Sequence, residues 1–101
     1  MNQIFKALSD PTRREILRLL REKDMTAGEI AERFNLAKPT LSGHFAVLRE
    51  ADLVQSGKHA TTITYSLNLS VLEEAMCLFL DHFGFSLEAR SRSTKSVEGQ
   101  S

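Results

Sequence analysis

Lys38, Thr40, Ser42 and Gly43 are the residues of this chain whose types and spacing point most directly to chemistry. An ammonium, two hydroxyls and a side-chain-free position, on a stretch poor in carboxylates, suit hydrogen bonding to phosphates and to base edges. Leu41, Phe45 and Leu48 recur between them at four- and three-residue spacing, which predicts one buried stripe on a helix. Lys38, Thr40, Ser42, Gly43, Ala46 and Val47 are left facing outward. A face this short in side chain fits a helix entering a groove about 12 Å wide. Pro39 belongs in the opening turn, where its missing N–H costs little. An ordinary solvated helix face is the alternative reading.

The residues before this helix must position it. Thr26 with Glu29 three residues on is a capping box, and Met25 and Ile30 flank it as a hydrophobic staple. Small Ala31 allows a second helix to come close. Asn35 suits a left-handed turn that ends the first helix, and Leu36 is expected to plug the core. Residues 26–52 thus predict a helix-turn-helix. A second candidate contact is the run Ser56, Gly57, Lys58, His59, expected as the tip of a hairpin. Lys58, His59 and Thr61 there could reach minor-groove phosphates or sugars, against the plainer reading of an exposed hairpin. His44 lies nearer the buried stripe and is expected to be packed and hydrogen-bonded rather than in contact with bases.

Around this core the chain predicts a mainly α fold with a small β-hairpin, four helices, two strands and a last helix. Ile4, Phe5 and Leu8 mark the first helix. Asp10 and Pro11 are an N-cap and a first helical residue, opening a second helix through about Arg21. Arg18 and Glu22 are spaced to pair on it. Leu53 and Val54 open a strand. Thr62 to Leu67 alternates, with Ile63, Tyr65 and Leu67 on one side and Thr62, Thr64 and Ser66 on the other. Such a hairpin is marginal alone and must pack on the helices, which makes a winged helix. Ser70 and Glu73 predict a second capping box and a helix through roughly Phe83. That helix carries two apolar lines, Leu72, Met76, Phe79 and Phe83 beside Val71, Ala75, Leu78 and Phe85. One face is more than a small domain can bury, so the second predicts a twin subunit. Ile4, Phe5, Leu72, Met76, Phe79 and Phe83 are the candidate dimer contacts.

The domain reading is 1–85 as a winged-helix DNA-binding and dimerisation domain and 86–101 as a disordered polar tail. The formal net charge of zero argues against a purely electrostatic nucleic-acid binder. Charge is nonetheless uneven, with Arg13, Arg14, Arg18, Arg21 and Lys23 set against Glu15 and Glu22, either a basic flank for DNA or a solvated face. The single cysteine, Cys77, excludes an internal disulfide and is expected to be an inert thiol. With no signal peptide and no membrane-length apolar run, the expectation is a cytoplasmic protein without membrane insertion. No Gly-rich phosphate loop and no nucleophile, base and orienter set suggest an enzyme, and no cofactor is implied.

The blocks FKALSDPTRREILRLL, TAGEIAERFNLAKPTLSGHFAVLREADLV and TITYSLN resemble, in this order, the ArsR/SmtB family of bacterial winged-helix repressors. The resemblance covers about residues 2–84 and is greatest to SdpR-like members without metal sites. It implies a homodimer that sets two recognition helices in successive major grooves, about 34 Å apart, of a palindromic double-stranded operator. It also implies transcriptional repression, often of the repressor's own operon. The chain departs from the family where Ala37 replaces a common Ser N-cap, and where Gly43 replaces the first histidine of a Ser-His-His-Leu run. Metal-responsive relatives carry a Cys-x-Cys where this chain has residues 25–29, without a thiol. The alternative ligand set would fall on Asp81, His82 and Glu88, without the later histidine, and adjacent Asp81 and His82 diverge on a helix. A winged-helix protein-interaction module is the competing class, with a metal-responsive repressor behind it. The inducer or anti-repressor that would relieve repression is not identified by the sequence.

Overall fold

In the computed structural model, residues 2–85 are described. They form two compact units, one running to Val71 and the other starting at Leu72. The first holds α1 (Asn2–Leu8), α2 (Pro11–Glu22), β1 (Met25–Thr26), α3 (Ala27–Arg33), α4 (Lys38–Glu50), β2 (Val54–His59) and β3 (Thr62–Leu67). Helix α5 (Leu69–His82) starts at its end and makes up most of the second unit. The expected tail, 86–101, lies outside the described residues.

Each early helix starts as its sequence dictates. The Asp10 carboxylate accepts from the Arg13 N–H at 3.1 Å, with Pro11 in the first turn behind it. At α3 the Thr26 hydroxyl accepts from the Glu29 N–H (3.1 Å), and the Glu29 carboxylate accepts from the Thr26 N–H (2.9 Å). The core of this unit gathers Ile16, Leu17, Leu19 and Leu20 of α2 with Ile30, Leu41, Phe45, Leu48, Leu53, Val54 and Tyr65. Ile16, Ile30, Leu48 and Leu53 are buried completely, each adding roughly 1.5–3 kcal/mol over an exposed side chain.

The sheet departs from a simple hairpin. Two residues before α3 form a third strand, giving the antiparallel order β1-β3-β2 with Met25 opposite Tyr65 and Thr26 opposite Thr64. The hairpin turns later than expected. Ser56 to His59 belong to β2, His59 pairs with Thr62, and the loop is Ala60 and Thr61. Ala60 supplies the left-handed residue (φ +56°) that a two-residue turn requires. Tyr65 is buried, but Ile63, expected on the same side, is 41% exposed because the hairpin tip projects beyond the core.

Three further expectations are corrected. Asn35 does not take the left-handed conformation; α3 ends at Arg33 with Phe34 extended (φ −116°, ψ 130°). Leu36 does not plug the core: it is 36% exposed, in a tight turn where its N–H reaches the Phe34 carbonyl at 2.8 Å. Ser70 does not cap α5, which begins a residue earlier, at Leu69. At the other end of α5, Gly84 (φ +87°) closes the helix, with the Gly84 and Phe85 N–H groups bonded to the Asp81 and Leu80 carbonyls.

Candidate nucleic-acid interface

Helix α4 opens without a side-chain cap. Ala37 holds the extended N-cap conformation (φ −66°, ψ 146°) but has no group to accept from the first turn. The N–H groups of Lys38 and Thr40 have no acceptor within the helix, and Pro39 between them has none to offer. These donors, with the positive end of a 13-residue helix, favour an anion at this end. Lys38, Pro39, Thr40, Ser42 and Gly43 are all exposed, while Leu41, Phe45 and Leu48 are buried. A Cβ built on Gly43 would meet nothing within 4 Å, so the position faces open space.

Two adjoining clefts lie between α3 and the hairpin, and one of them reaches the start of α4. One, of about 300 Å³, is walled by Ala27 and Gly28 of α3, Lys38 and Ser42 of α4, and Ile63 and Tyr65 of β3. The other, of about 370 Å³, lies between Thr26 at the start of α3 and Thr61 and Thr62 of the hairpin. Ala27, Gly28 and Ile63 line both, so Lys38, Ser42 and Thr61 border one continuous surface. Lys58 and His59 are exposed at the end of β2, next to the turn. Thr40 and Gly43 lie outside the two clefts' linings. The sequence reading missed Gly28, Thr62 and Ile63 as part of this surface. Alternation assigned Ile63 to the interior, and the cleft exists only because α3 and the hairpin meet.

The rest of α4 is held firmly. Phe45 stacks on Tyr65 of β3, ring centres 3.9 Å apart and planes 4° from parallel. At the C-terminal end the Leu53 N–H reaches the Leu48 carbonyl (3.0 Å) and the Asp52 N–H the Arg49 carbonyl (2.9 Å), with Asp52 left-handed at φ +59°. The third support is Arg13, which the sequence placed only in a basic run. Its guanidinium donates to the carbonyls of Ala7 (Nε, 2.9 Å) and Lys6 (2.7 Å) at the end of α1, and lies 3.1 Å from His44 Nδ1 on α4. His44 is packed and hydrogen-bonded, as the sequence suggested, with its side chain 15% exposed. Asp10 Oδ2 lies 4.0 Å from the same Nδ1, and the Arg13 N–H, then the charges of His44 and Arg13, hold this carboxyl below its ordinary value.

In the remaining basic run Arg14 donates to the Leu8 carbonyl at 2.7 Å, and Arg18, Arg21 and Lys23 are exposed. Arg18 bonds Glu15 at 2.9 Å and reaches Glu22 only at 4.0 Å. Glu15 ionises more readily than usual through that Arg18 bond. Of the dimer candidates, Ile4, Leu72 and Met76 are half-buried, and Phe5, Phe79 and Phe83 are exposed, Phe83 by 61%. Cys77 is half-buried. Among the described residues, no three His, Cys, Asp or Glu side chains are grouped to hold a metal ion, and no helix is long and apolar enough to cross a membrane.

Known proteins share this architecture. Residues 10–56 match the family model described as bacterial regulatory protein, arsR family. The transcriptional repressor SdpR of Bacillus subtilis is 50% identical over 76 residues, covering 75% of this chain and 84% of its own. An arsenical resistance operon repressor of Staphylococcus xylosus is 38% identical over 73 residues, 72% of this chain and 70% of that one. Among solved structures, an ArsR-like transcriptional regulator from Rhodococcus superposes with a TM-score of 0.71 at 29% identity, covering 95% of this chain and 90% of its own. With the fold, the helix-turn-helix and these relatives in agreement, the chain belongs to the ArsR family of bacterial regulatory proteins, winged helix-turn-helix transcriptional regulators and not enzymes.

Proposed function

We propose that the protein is a homodimeric repressor that occupies a palindromic operator, its own promoter being the first candidate, and excludes polymerase sterically. The observation that carries this reading is the division of α4. Its apolar stripe is buried under Tyr65 and the core, while Lys38, Thr40, Ser42 and Gly43 are exposed beside an uncapped helix start. Phosphate contacts from Lys38, Lys58, His59, Thr61 and backbone N–H groups would supply most of the affinity. Side chains from 38 to 43 would choose the sequence. A second subunit is supported by the apolar side chains left exposed on α5 and just after it, Leu78 at 48% and Phe83 at 61%, and by the two-fold symmetry of operators. Repression is supported by the SdpR likeness. The cell interior is the compartment in which such a regulator would meet its DNA.

Fluorescence anisotropy on labelled DNA from just upstream of the gene, with scrambled DNA as control, tests the reading at two salt concentrations. Tight, selective binding that weakens steeply with salt is expected, because each neutralised phosphate releases counterions. Equal and weak binding to both DNAs would overturn self-repression and favour a protein partner.

A further inference from the structure

We propose that Arg13 is a positioning residue for α4, and that His44 Nδ1 is a proton-controlled toggle between it and Asp10. The proposal rests on the reading of α4 as the DNA-reading helix. The guanidinium of Arg13 is committed on two sides to carbonyls in the last turn of α1, Ala7 and Lys6, at 2.9 and 2.7 Å. Its remaining nitrogen stands 3.1 Å from His44 Nδ1. An arginine has donors only, so this contact is a hydrogen bond only when Nδ1 presents its lone pair and the imidazole proton sits on Nε2. One planar fork thereby fixes α4 to the α1–α2 corner, thirty-one residues away in sequence.

Proton uptake reverses the geometry. A protonated Nδ1 has no lone pair for Arg13 and repels its charge. The acceptor within reach is Asp10 Oδ2, 4.0 Å away and fixed as the N-cap of α2. Closing that gap to a hydrogen bond of about 2.8 Å moves the ring by roughly 1 Å. Position 44 lies next to Gly43 and two residues from Ser42, so losing the Arg13 contact would release the helix directly behind the groove-facing residues. The charged groups around His44 are few. Lys6 is the charged residue of α1, Arg13 and Asp10 are those that α2 and its cap direct at the ring, and β2 carries Lys58 and His59 near the hairpin turn. Within α4 the neighbours one turn away, Thr40, Leu41, Val47 and Leu48, bear no charge.

The test pairs a spectrum with a binding profile. Imidazole ¹H–¹⁵N spectra of the uniformly labelled protein, without DNA, should show His44 at pH 8 as the tautomer protonated on Nε2, the form that accepts from Arg13. A ring protonated on Nδ1 at pH 8 would overturn the toggle, whatever the protein binds. Anisotropy with the upstream DNA fragment should show wild-type affinity falling about threefold to tenfold more steeply from pH 8 to 5.5 than that of His44→Asn. Asparagine carries an acceptor at the same branch distance and cannot titrate, and His59 and His82 are common to both proteins. Superimposable pH profiles would overturn the proposal. Absence of DNA binding at every pH would refute the reading of α4, with the tautomer still deciding the toggle.

Discussion

Ala37→Ser should stabilise the protein, by an amount the geometry of the α4 start sets. The N-cap backbone of Ala37 (ψ 146°) falls between those of Asp10 (ψ 128°) and Thr26 (ψ 160°), both of which accept from their helices. A serine there needs no backbone rearrangement. A cap normally serves the N–H of the second or third helical residue, but Pro39 occupies the second and has no N–H. The new hydroxyl therefore has one partner, the Thr40 N–H, and the gain should be about 1 kcal/mol rather than the upper end of the cap range. For a chain of this size that is roughly 5 °C in Tm. Thermal unfolding by circular dichroism reads the shift, and amide exchange at Thr40 should slow in the free protein. DNA affinity should rise by no more than about fivefold, the equivalent of 1 kcal/mol. An unchanged Tm with unchanged Thr40 exchange would refute the argument, because the start of α4 would then be ordered by something other than a missing cap.

Lys38→Glu should abolish selective DNA binding while leaving helix content unchanged by circular dichroism; retained affinity would move the reading surface away from α4. Ala60→Gly should stabilise by about 1 kcal/mol, since Ala60 sits at φ +56° where a Cβ is strained, and a lower urea midpoint would show the turn is held by its side chain. Asp10, Glu15 and Glu29 all ionise more readily in the folded chain, through the Arg13 N–H, the Arg18 guanidinium and the Thr26 N–H respectively. Their contribution is complete above their ordinary values of 3.8 and 4.5 and is lost as pH falls through the lower folded ones. Urea midpoints should therefore drop below about pH 4.5, and less steeply in Asp10→Asn; identical acid limbs would remove Asp10 from the account. Replacing Met76 and Phe79 together with polar residues should weaken self-association in sedimentation, and wild-type association would place the dimer contact elsewhere.

What was legible in the sequence is what local chemistry determines. The Asp10 cap, the Thr26–Glu29 capping box and the stripe of Leu41, Phe45 and Leu48 each depend on residues within a turn or two of one another. They could be read from spacing alone. The misplaced features lacked a local signal. Ala60 and Thr61 form a turn without the glycine or asparagine that marks one, whereas the preceding Ser56 and Gly57 offered that signal inside a strand. Strand β1 is two residues long and exists because β3 has a free edge beside it. Arg13 looked like one cation among several, and its partners Lys6, Ala7 and His44 lie on two other helices.

The supports of α4 are unequally distributed, and that inequality bears on function. Its C-terminal end is closed by Asp52 and Leu53, and its middle is clamped by the Phe45–Tyr65 stack and by Arg13 on His44. Its N-terminal end has an alanine where a cap belongs and a glycine one turn in, each weakening helix by about 1 kcal/mol. The uncapped end of the helix is thus the end that carries Lys38, Thr40, Ser42 and Gly43. If this end reads DNA as proposed, ordering it there would cost some affinity on every sequence, correct or not. Only contacts that need the ordered turn recover it, so the weak start lowers non-specific binding more than specific binding. A chain of zero net charge has little long-range attraction to DNA to begin with. On the proposed reading, discrimination would then come from a few contacts near residue 40, held by the packed stripe of Leu41, Phe45 and Leu48.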